Sequence, residues 1–250
     1  MAEEATLKIY RGDDEQGEMV EYKIPLAPGM VVLDAIHAVQ ASQAPDLAVR
    51  WNCKAGKCGS CGGEVNGKPR LMCMDRMDKY PPGEPISIRP MKSFPVIKDL
   101  VTDVSWNYKV NQQIPAFKMK DTGGKEPRFS QEEADRVQEF RKCIECFLCQ
   151  NVCHVLRDHD KKEAFGGPRF FVRTAGLEMH PLDDDDRIPL LKDELGVGYC
   201  NITKCCTEVC PENITITDNA IIPLKERVVD RFYDPVKMLL RVLSPSKKKE

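Results

Sequence analysis

At 250 residues, with 42% apolar and 30% charged side chains, the chain has the composition of an ordinary folded protein with room for two modest domains. Thirty-seven basic residues stand against 39 acidic ones, and the net charge of −2 offers no field for gripping nucleic acid. No apolar run approaches the roughly 20 residues that span a bilayer, and Met1-Ala2-Glu3-Glu4 lacks a secretory leader's pattern, so a reducing, cytoplasmic-side location is expected.

In chain order, Thr6-Leu7-Lys8-Ile9-Tyr10 alternates polar and apolar, as does Glu21-Tyr22-Lys23-Ile24, and the acidic, glycine-containing stretch between them suits a hairpin. After Pro28-Gly29, apolar residues at helical spacing (Val32, Ala35, Ile36, Val39) predict a helix over 31–41. Asn66-Gly67 between Val65 and Leu71-Met72 is a strong hairpin signal, and Ile86-Ser87-Ile88 reads as a closing strand. Strands crossed by one helix predict a ubiquitin-like β-grasp over 1–105. Residues 106–129 are weakly patterned and read as a connection. Ser130-Gln131-Glu132-Glu133 is a capping-box start for a helix to Lys142, and the rest is helical in flavour, with apolar segments at 190–195 and 222–232. The fold class is therefore α+β, a β-grasp domain followed by an all-α domain over 106–250.

Twelve cysteines fall in three groups of four, and thiols in a reducing compartment seldom pair structurally, which leaves metal binding. The first group, Cys53-x4-Cys58-x2-Cys61 and then Cys73, has plant-type [2Fe–2S] ferredoxin spacing. Gly56, Gly59, Gly62 and Gly63 let backbone pass close to inorganic sulfide, with Lys54 and Lys57 nearby to favour the reduced, more negative cluster. Structural zinc prefers two paired knuckles. The second group, Cys143-x2-Cys146-x2-Cys149-x3-Cys153, is a bacterial-ferredoxin run, whose fourth cysteine serves the other cluster. Cys210, followed by Pro211, then completes a [4Fe–4S] site with Cys143, Cys146 and Cys149. Counting back from Cys210 places ligands at 206, 203 and 200, but position 203 is Thr203. A hydroxyl holds iron weakly beside thiolates, so Cys153, Cys200 and Cys206 predict a [3Fe–4S] cluster. Cys205 is left over, either packed and idle or an unusual ligand. The only metal expected is iron. Three cluster types in one chain read as a wire for single electrons, and no dinucleotide fingerprint or nucleophile triad accompanies them, so no catalytic residue is assigned and the chemistry at each end belongs to partners.

These residues carry a family resemblance over essentially the whole chain. Trp51-Asn52-Cys53-Lys54-Ala55-Gly56-Lys57-Cys58-Gly59-Ser60-Cys61, Cys143-Ile144-Glu145-Cys146-Phe147-Leu148-Cys149, and Cys200 to Pro211 with its missing central cysteine resemble the iron–sulfur subunit of succinate dehydrogenase and fumarate reductase. Residues 94–101 are similar to that family's segment leading out of the first domain. The resemblance implies a flavoprotein partner carrying FAD, then [2Fe–2S], [4Fe–4S] and [3Fe–4S] in series, then a quinone at a membrane-anchor subunit on the cytoplasmic face of the cell membrane. Ubiquinone-reducing relatives carry a proline after the residue matching Cys153 and tryptophans a few residues on. His154 and Arg157-Asp158 stand there instead, which favours menaquinone, and Cys153-His154-Val155 and Cys205-Cys206 look similar to actinobacterial members, which points the same way. The competing readings are a freestanding multi-cluster ferredoxin and the cluster subunit of another flavoprotein dehydrogenase.

His154 and Asn201 each follow a three-iron ligand, so either quinone contact or ordinary hydrogen bonding fits them. His159 and His180 read as surface or partner-facing. Asp183–Asp186 reads as a solvated loop and not a Ca²⁺ site, because no EF-hand pattern surrounds it. Residues 237–243 with Lys247–Lys249 read as a solvated tail or partner contact, with anionic headgroups as the alternative.

Overall fold

The computed structural model describes residues 4–236. The basic tail from 237 lies outside them. Two compact units emerge: one gathers the residues up to Lys109 with Lys142–Asp160 and Cys205–Ile214, and the other Val110–Arg141, Lys161–Lys204 and the residues from Thr215 on.

The first unit is built on a five-stranded sheet of β1 (Glu4–Gly12), β2 (Gly17–Pro25), β3 (Gly62–Val65), β4 (Lys68–Leu71) and β5 (Ile86–Arg89), in the order β2-β1-β5-β3-β4. β1 and β2 pair antiparallel with Leu7 opposite Tyr22, while β1 and β5 run parallel, the central feature of the expected grasp. Alternation decides the faces: Leu7, Ile9, Tyr22, Ile24, Ile86 and Ile88 are buried. The helix α1 (Val32–Ser42) adds Val32, Leu33, Ala35, Ile36 and Val39 to the same core. The predicted turn closes β3 onto β4 through Asn66 (φ 47°) and Gly67 (φ 75°), the left-handed pair that two-residue hairpins need.

A second, two-stranded ribbon of β6 (Val96–Lys98) and β7 (Val101–Thr102) follows. Its turn residue Asp99 is buried and accepts from Arg11 Nε at 3.1 Å, Gly12 N at 3.0 Å and Ala48 N at 2.8 Å. The stretch expected to be a plain connection begins as a helix, α2 (Ser105–Gln113). Its polar sequence hid it, because part of what it buries is polar: Asn107 is fully buried and accepts from Gln150 Nε2 at 3.3 Å.

The second unit is helical. Ser130 caps α3 (Gln131–Gln138) as predicted, with Glu133 N donating to Ser130 Oγ at 3.2 Å and Ser130 N to Glu133 Oε2 at 2.8 Å. The last turn to Lys142 tightens to 3₁₀ geometry. In the first unit, the short helices α4 (Leu148–Val152) and α5 (His154–Arg157) follow. In the second come α6 (Pro168–Glu178) and α7 (Ile188–Asp193). The one-turn α8 (Cys205–Glu208) returns to the first unit, and α9 (Ile222–Phe232) extends a π-helical turn over Ile216–Ile221 in the second. The second unit's core includes Phe165, Phe170, Phe171, Leu191, Leu195 and Leu224.

The Asp183–Asp186 loop is solvated only in part: Asp184 and Asp186 are exposed, but Asp183 is buried and pairs at 3.1 Å with Arg187, whose side chain is fully buried and also donates to the carbonyls of Pro115 and Ala116 at 3.1 and 2.7 Å. A buried guanidinium requires this company, and the acidic run supplies it. His180 is partly buried between Phe117 and Phe129, at ring distances of 5.1 and 5.5 Å, with its Nδ1 accepting from Leu182 N. His159 is exposed, as expected.

Candidate metal centres

None of the twelve cysteines forms a disulfide. The first group occupies the loop after α1 and the turn after β4. Lys54 (φ 53°), Gly56 (φ 67°) and Gly59 (φ 69°) take left-handed backbone there, curling the chain so that amides face inward. Cys53 Sγ accepts from Ala55 N and Lys57 N, both at 3.3 Å, and Cys58 Sγ from Cys53 N at 3.5 Å. Donation from the backbone of Cys53 first, and of Ser60 second, brings the Cys58 thiol down to about 6. Burial pushes Cys61 the other way, up to about 12, with Cys73 and Cys58 as its thiol neighbours. Cys73 is positioned from behind. The start of α1 donates Leu33 N to the Met72 carbonyl at 3.0 Å and Val32 N to the Asp75 carbonyl at 2.8 Å.

In the second group, burial first and then the proximity of Cys143 and Cys210 act on Cys146, whose thiol is pushed up to about 12. Cys149 is held well above the usual thiol range by burial, and then by Cys146, Cys143, Cys206 and Cys210 around it. Cys153 is likewise pushed up to about 12, chiefly by burial, while the amides of Leu156 and Val155 donate to its sulfur and Cys205 and Cys206 lie near. Cys210 Sγ accepts from Ile214 N at 3.4 Å.

These thiol groups suit iron–sulfur clusters. Buried thiols crowded together hold their protons at a cost that iron removes, because the metal replaces the protons and neutralises the thiolates. Amides aimed at the sulfurs suit a cluster that becomes more negative on reduction. Among the described residues no three His, Cys, Asp or Glu side chains converge on a single metal ion. A multi-iron core, whose thiolates bind different irons, does not ask for that convergence. The residues present fit the clusters.

The third group repeats the backbone of the second. Cys146 lies between Glu145 (φ 56°) and Phe147 (φ 60°), and Thr203 between Ile202 (φ 62°) and Lys204 (φ 62°). Cys153 N donates to the Gln150 carbonyl at 3.3 Å, and Cys210 N to that of Thr207, also at 3.3 Å. In this register Cys200 matches Cys143, Thr203 matches Cys146, Cys206 matches Cys149 and Cys210 matches Cys153. Cys205 matches Leu148, a packing position. A β-branched residue such as Ile202 in left-handed backbone is strained, which fits a segment whose shape is set by its role. The Cys200 carbonyl accepts from Lys225 Nζ at 2.5 Å, and Asn201 is exposed. His154 has a buried Nε2 with no hydrogen-bond partner among the described residues.

Sequence reasoning missed the polar network under the second run. Glu64 Oε1 accepts from Asn151 Nδ2 at 2.9 Å and from Arg157 Nη1 at 2.8 Å, and Asn151 Oδ1 accepts from Ser93 N at 3.0 Å.

A grasp sheet with an amide-lined four-cysteine loop, joined to two cysteine runs of one shared backbone design, defines a ferredoxin-type electron-transfer protein. Residues 6–109 match the family model of a 2Fe-2S iron–sulfur cluster binding domain, and residues 139–214 that of a 4Fe-4S dicluster domain. The chain is 31% identical over 236 residues to the fumarate reductase iron–sulfur subunit of Wolinella succinogenes, covering 90% of this chain and 97% of that one. It is 30% identical over 235 residues to the succinate dehydrogenase iron–sulfur subunit of Bacillus subtilis, covering 87% and 90%. A solved structure of the Mycobacterium smegmatis Sdh1 complex in the apo form contains a chain 60% identical, with a TM-score of 0.90 over 94% of this chain and all of that one. The chain belongs to the iron–sulfur subunit family of succinate dehydrogenase and fumarate reductase, oxidoreductase complexes in which it has the electron-transfer role.

Proposed function

We propose that this chain carries single electrons between an FAD-bearing flavoprotein subunit and a membrane quinone through three clusters. Cys53, Cys58, Cys61 and Cys73 hold [2Fe–2S]; Cys143, Cys146, Cys149 and Cys210 hold [4Fe–4S]; Cys153, Cys200 and Cys206 hold [3Fe–4S]. When bound, the clusters supply one-electron redox chemistry, and the dicarboxylate site belongs to the flavoprotein. The observation that carries the reading is the repeated backbone of the two runs, with Thr203 standing where Cys146 stands in the other.

The chain's own residues shape and insulate these sites. Amides at Ala55, Lys57 and Ile214 stabilise negative sulfur, and the apolar packing of Phe147 against Phe94 and Tyr108, at 6.4 and 6.0 Å, excludes water beside the second run. Among the described residues no helix is long and apolar enough to cross a membrane, and the proposed attachment to the cytoplasmic face is through an anchor subunit. His154, with its unpartnered Nε2, is the proposed quinone contact, and Asn201 the second. Arg157 is committed to Glu64, and no tryptophan follows Cys153, which supports menaquinone over ubiquinone.

Mild-detergent extraction followed by assay tests this reading. Co-purification with a flavoprotein and a membrane protein, and succinate-dependent reduction of a menaquinone analogue, are expected. A chain isolated alone, with full clusters and no such activity in any fraction, contradicts it.

A further inference from the structure

Gly59 brings two cysteine loops into contact. It lies between Cys58 and Ser60 with φ +69°, and a Cβ built on it would sit 2.8 Å from Cys146 Cα, 2.9 Å from the Ile144 carbonyl oxygen and 3.0 Å from Cys146 Cβ. Carbon atoms do not approach backbone this closely, and no neighbour there is a flexible side-chain end that can rotate away. Gly56, three residues earlier, is the internal comparison. Its φ is +67°, but the three atoms nearest a Cβ there all belong to the Met74 side chain, the closest at 2.9 Å. Gly56 is therefore required for conformation, and Gly59 for conformation and space. Beside the contact lies a cavity of about 320 Å³ whose lining includes Cys58 from the first loop and Cys143 and Cys146 from the second. The second run is also held from below, since Asn151 and Arg157 both donate to Glu64 on β3, the strand that leaves the first loop.

We propose that Gly59 is a positioning residue: its missing side chain lets the Cys58 loop rest directly on Cys146, and this contact sets the separation of the first two clusters. The inference rests on the ligand assignment above and adds a residue to it. The transfer concerned moves one electron from the reduced first centre to the oxidised second, with no bond made or broken and no proton moved. Tunnelling falls steeply with distance, so a wedge here acts on transfer while the sulfur ligands stay in place.

The test compares Gly59→Ala with Gly67→Ala in the intact complex, using electron-spin spectra of the reduced protein, redox titration and single-turnover kinetics. Both variants put alanine into left-handed backbone, so a purely conformational role predicts equal effects. The proposal predicts that Gly59→Ala keeps both cluster signals near their wild-type potentials, weakens the spin coupling between them, and slows electron arrival beyond the second centre by roughly tenfold or more. Gly67→Ala, in the β3–β4 turn outside both cysteine loops and with nothing within 4 Å of the added Cβ, leaves coupling and rate unchanged. Wild-type coupling and rate in Gly59→Ala, or equal losses in both variants, overturn the proposal. If Gly59→Ala does not assemble, the wild-type complex decides. The contact requires that reducing the second centre broadens or speeds relaxation of the first centre's signal, and a first-centre signal indifferent to the second overturns it. Absence of either cluster signal from the wild-type complex overturns the ligand assignment, which is a distinguishable failure.

Discussion

Arg157, on the helix after Cys153, turns back to Glu64, on the strand after Cys61, and the two meet at 2.8 Å with the Glu64 side chain 5% exposed. A buried carboxylate is tolerated only when paired, and here Asn151 supplies a second donor. Removing one partner leaves an uncompensated buried charge. Arg157→Met is expected to destabilise the protein by about 3 kcal/mol, the low end for a broken buried pair, because Arg157 keeps some surface in water. Chemical denaturation checks this. Adding Glu64→Gln to Arg157→Met should recover part of the loss, and a strictly additive double variant contradicts the pairing.

Cys206, not Cys205, is the expected ligand, since Cys206 stands in register with Cys149 and Cys205 with the packing residue Leu148. Cys206→Ser is predicted to abolish the three-iron electron-spin signal, and Cys205→Ser to leave it. The reverse result means the helix at Cys205 presents its first residue to the cluster.

On the proposed ligand assignment, Thr203 accounts for a three-iron core. An oxidised three-iron core is all ferric, whereas a [4Fe–4S]²⁺ core already holds ferrous iron and accepts a further electron less readily. Cluster type is one of the determinants of a potential range of roughly 1 V. Thr203→Cys is expected to yield [4Fe–4S] with a lowered potential, each ~59 mV being tenfold in a one-electron equilibrium. Quinone reduction slows while the flavin still turns over with an artificial acceptor. A retained [3Fe–4S] spectrum, or [4Fe–4S] at an unchanged potential, contradicts this account.

His37, on α1, has a buried Nε2 and packs edge-on against Trp51 at 4.8 Å. Burial first, and Lys54 second, hold its pKa below the usual 6.5. The fold therefore prefers neutral His37, while the unfolded chain takes up the proton. This contribution to stability is intact above about pH 6.5 and is lost as pH falls through the lower, folded value. His37→Phe should flatten the pH dependence of the melting temperature in that window. An NMR titration of His37 with a midpoint above 6.5 reverses the sign and contradicts the reading.

The grasp sheet was legible because β1, β2 and β5 carry alternating stretches and because Asn66-Gly67 fixes its own turn. Ser130 and Glu133 likewise announced their helix through contacts three residues apart. The cysteine spacings announced the clusters because ligand geometry constrains short segments. What escaped was non-local or polar. Glu64, Asn151 and Arg157 are brought together across 87 and 93 positions, and nothing in any one segment marks them as partners. Helix Ser105–Gln113 has no clear apolar stripe, since its buried Asn107 faces another amide. Asp183 resembled solvent-facing charge until its partner Arg187 proved fully buried.

Iron content tests the central claim most directly. The account predicts about nine irons per intact chain and no stoichiometric zinc, with oxidised protein showing a three-iron signal and reduced protein the [2Fe–2S] signal. Iron near four, or one zinc per chain, contradicts it.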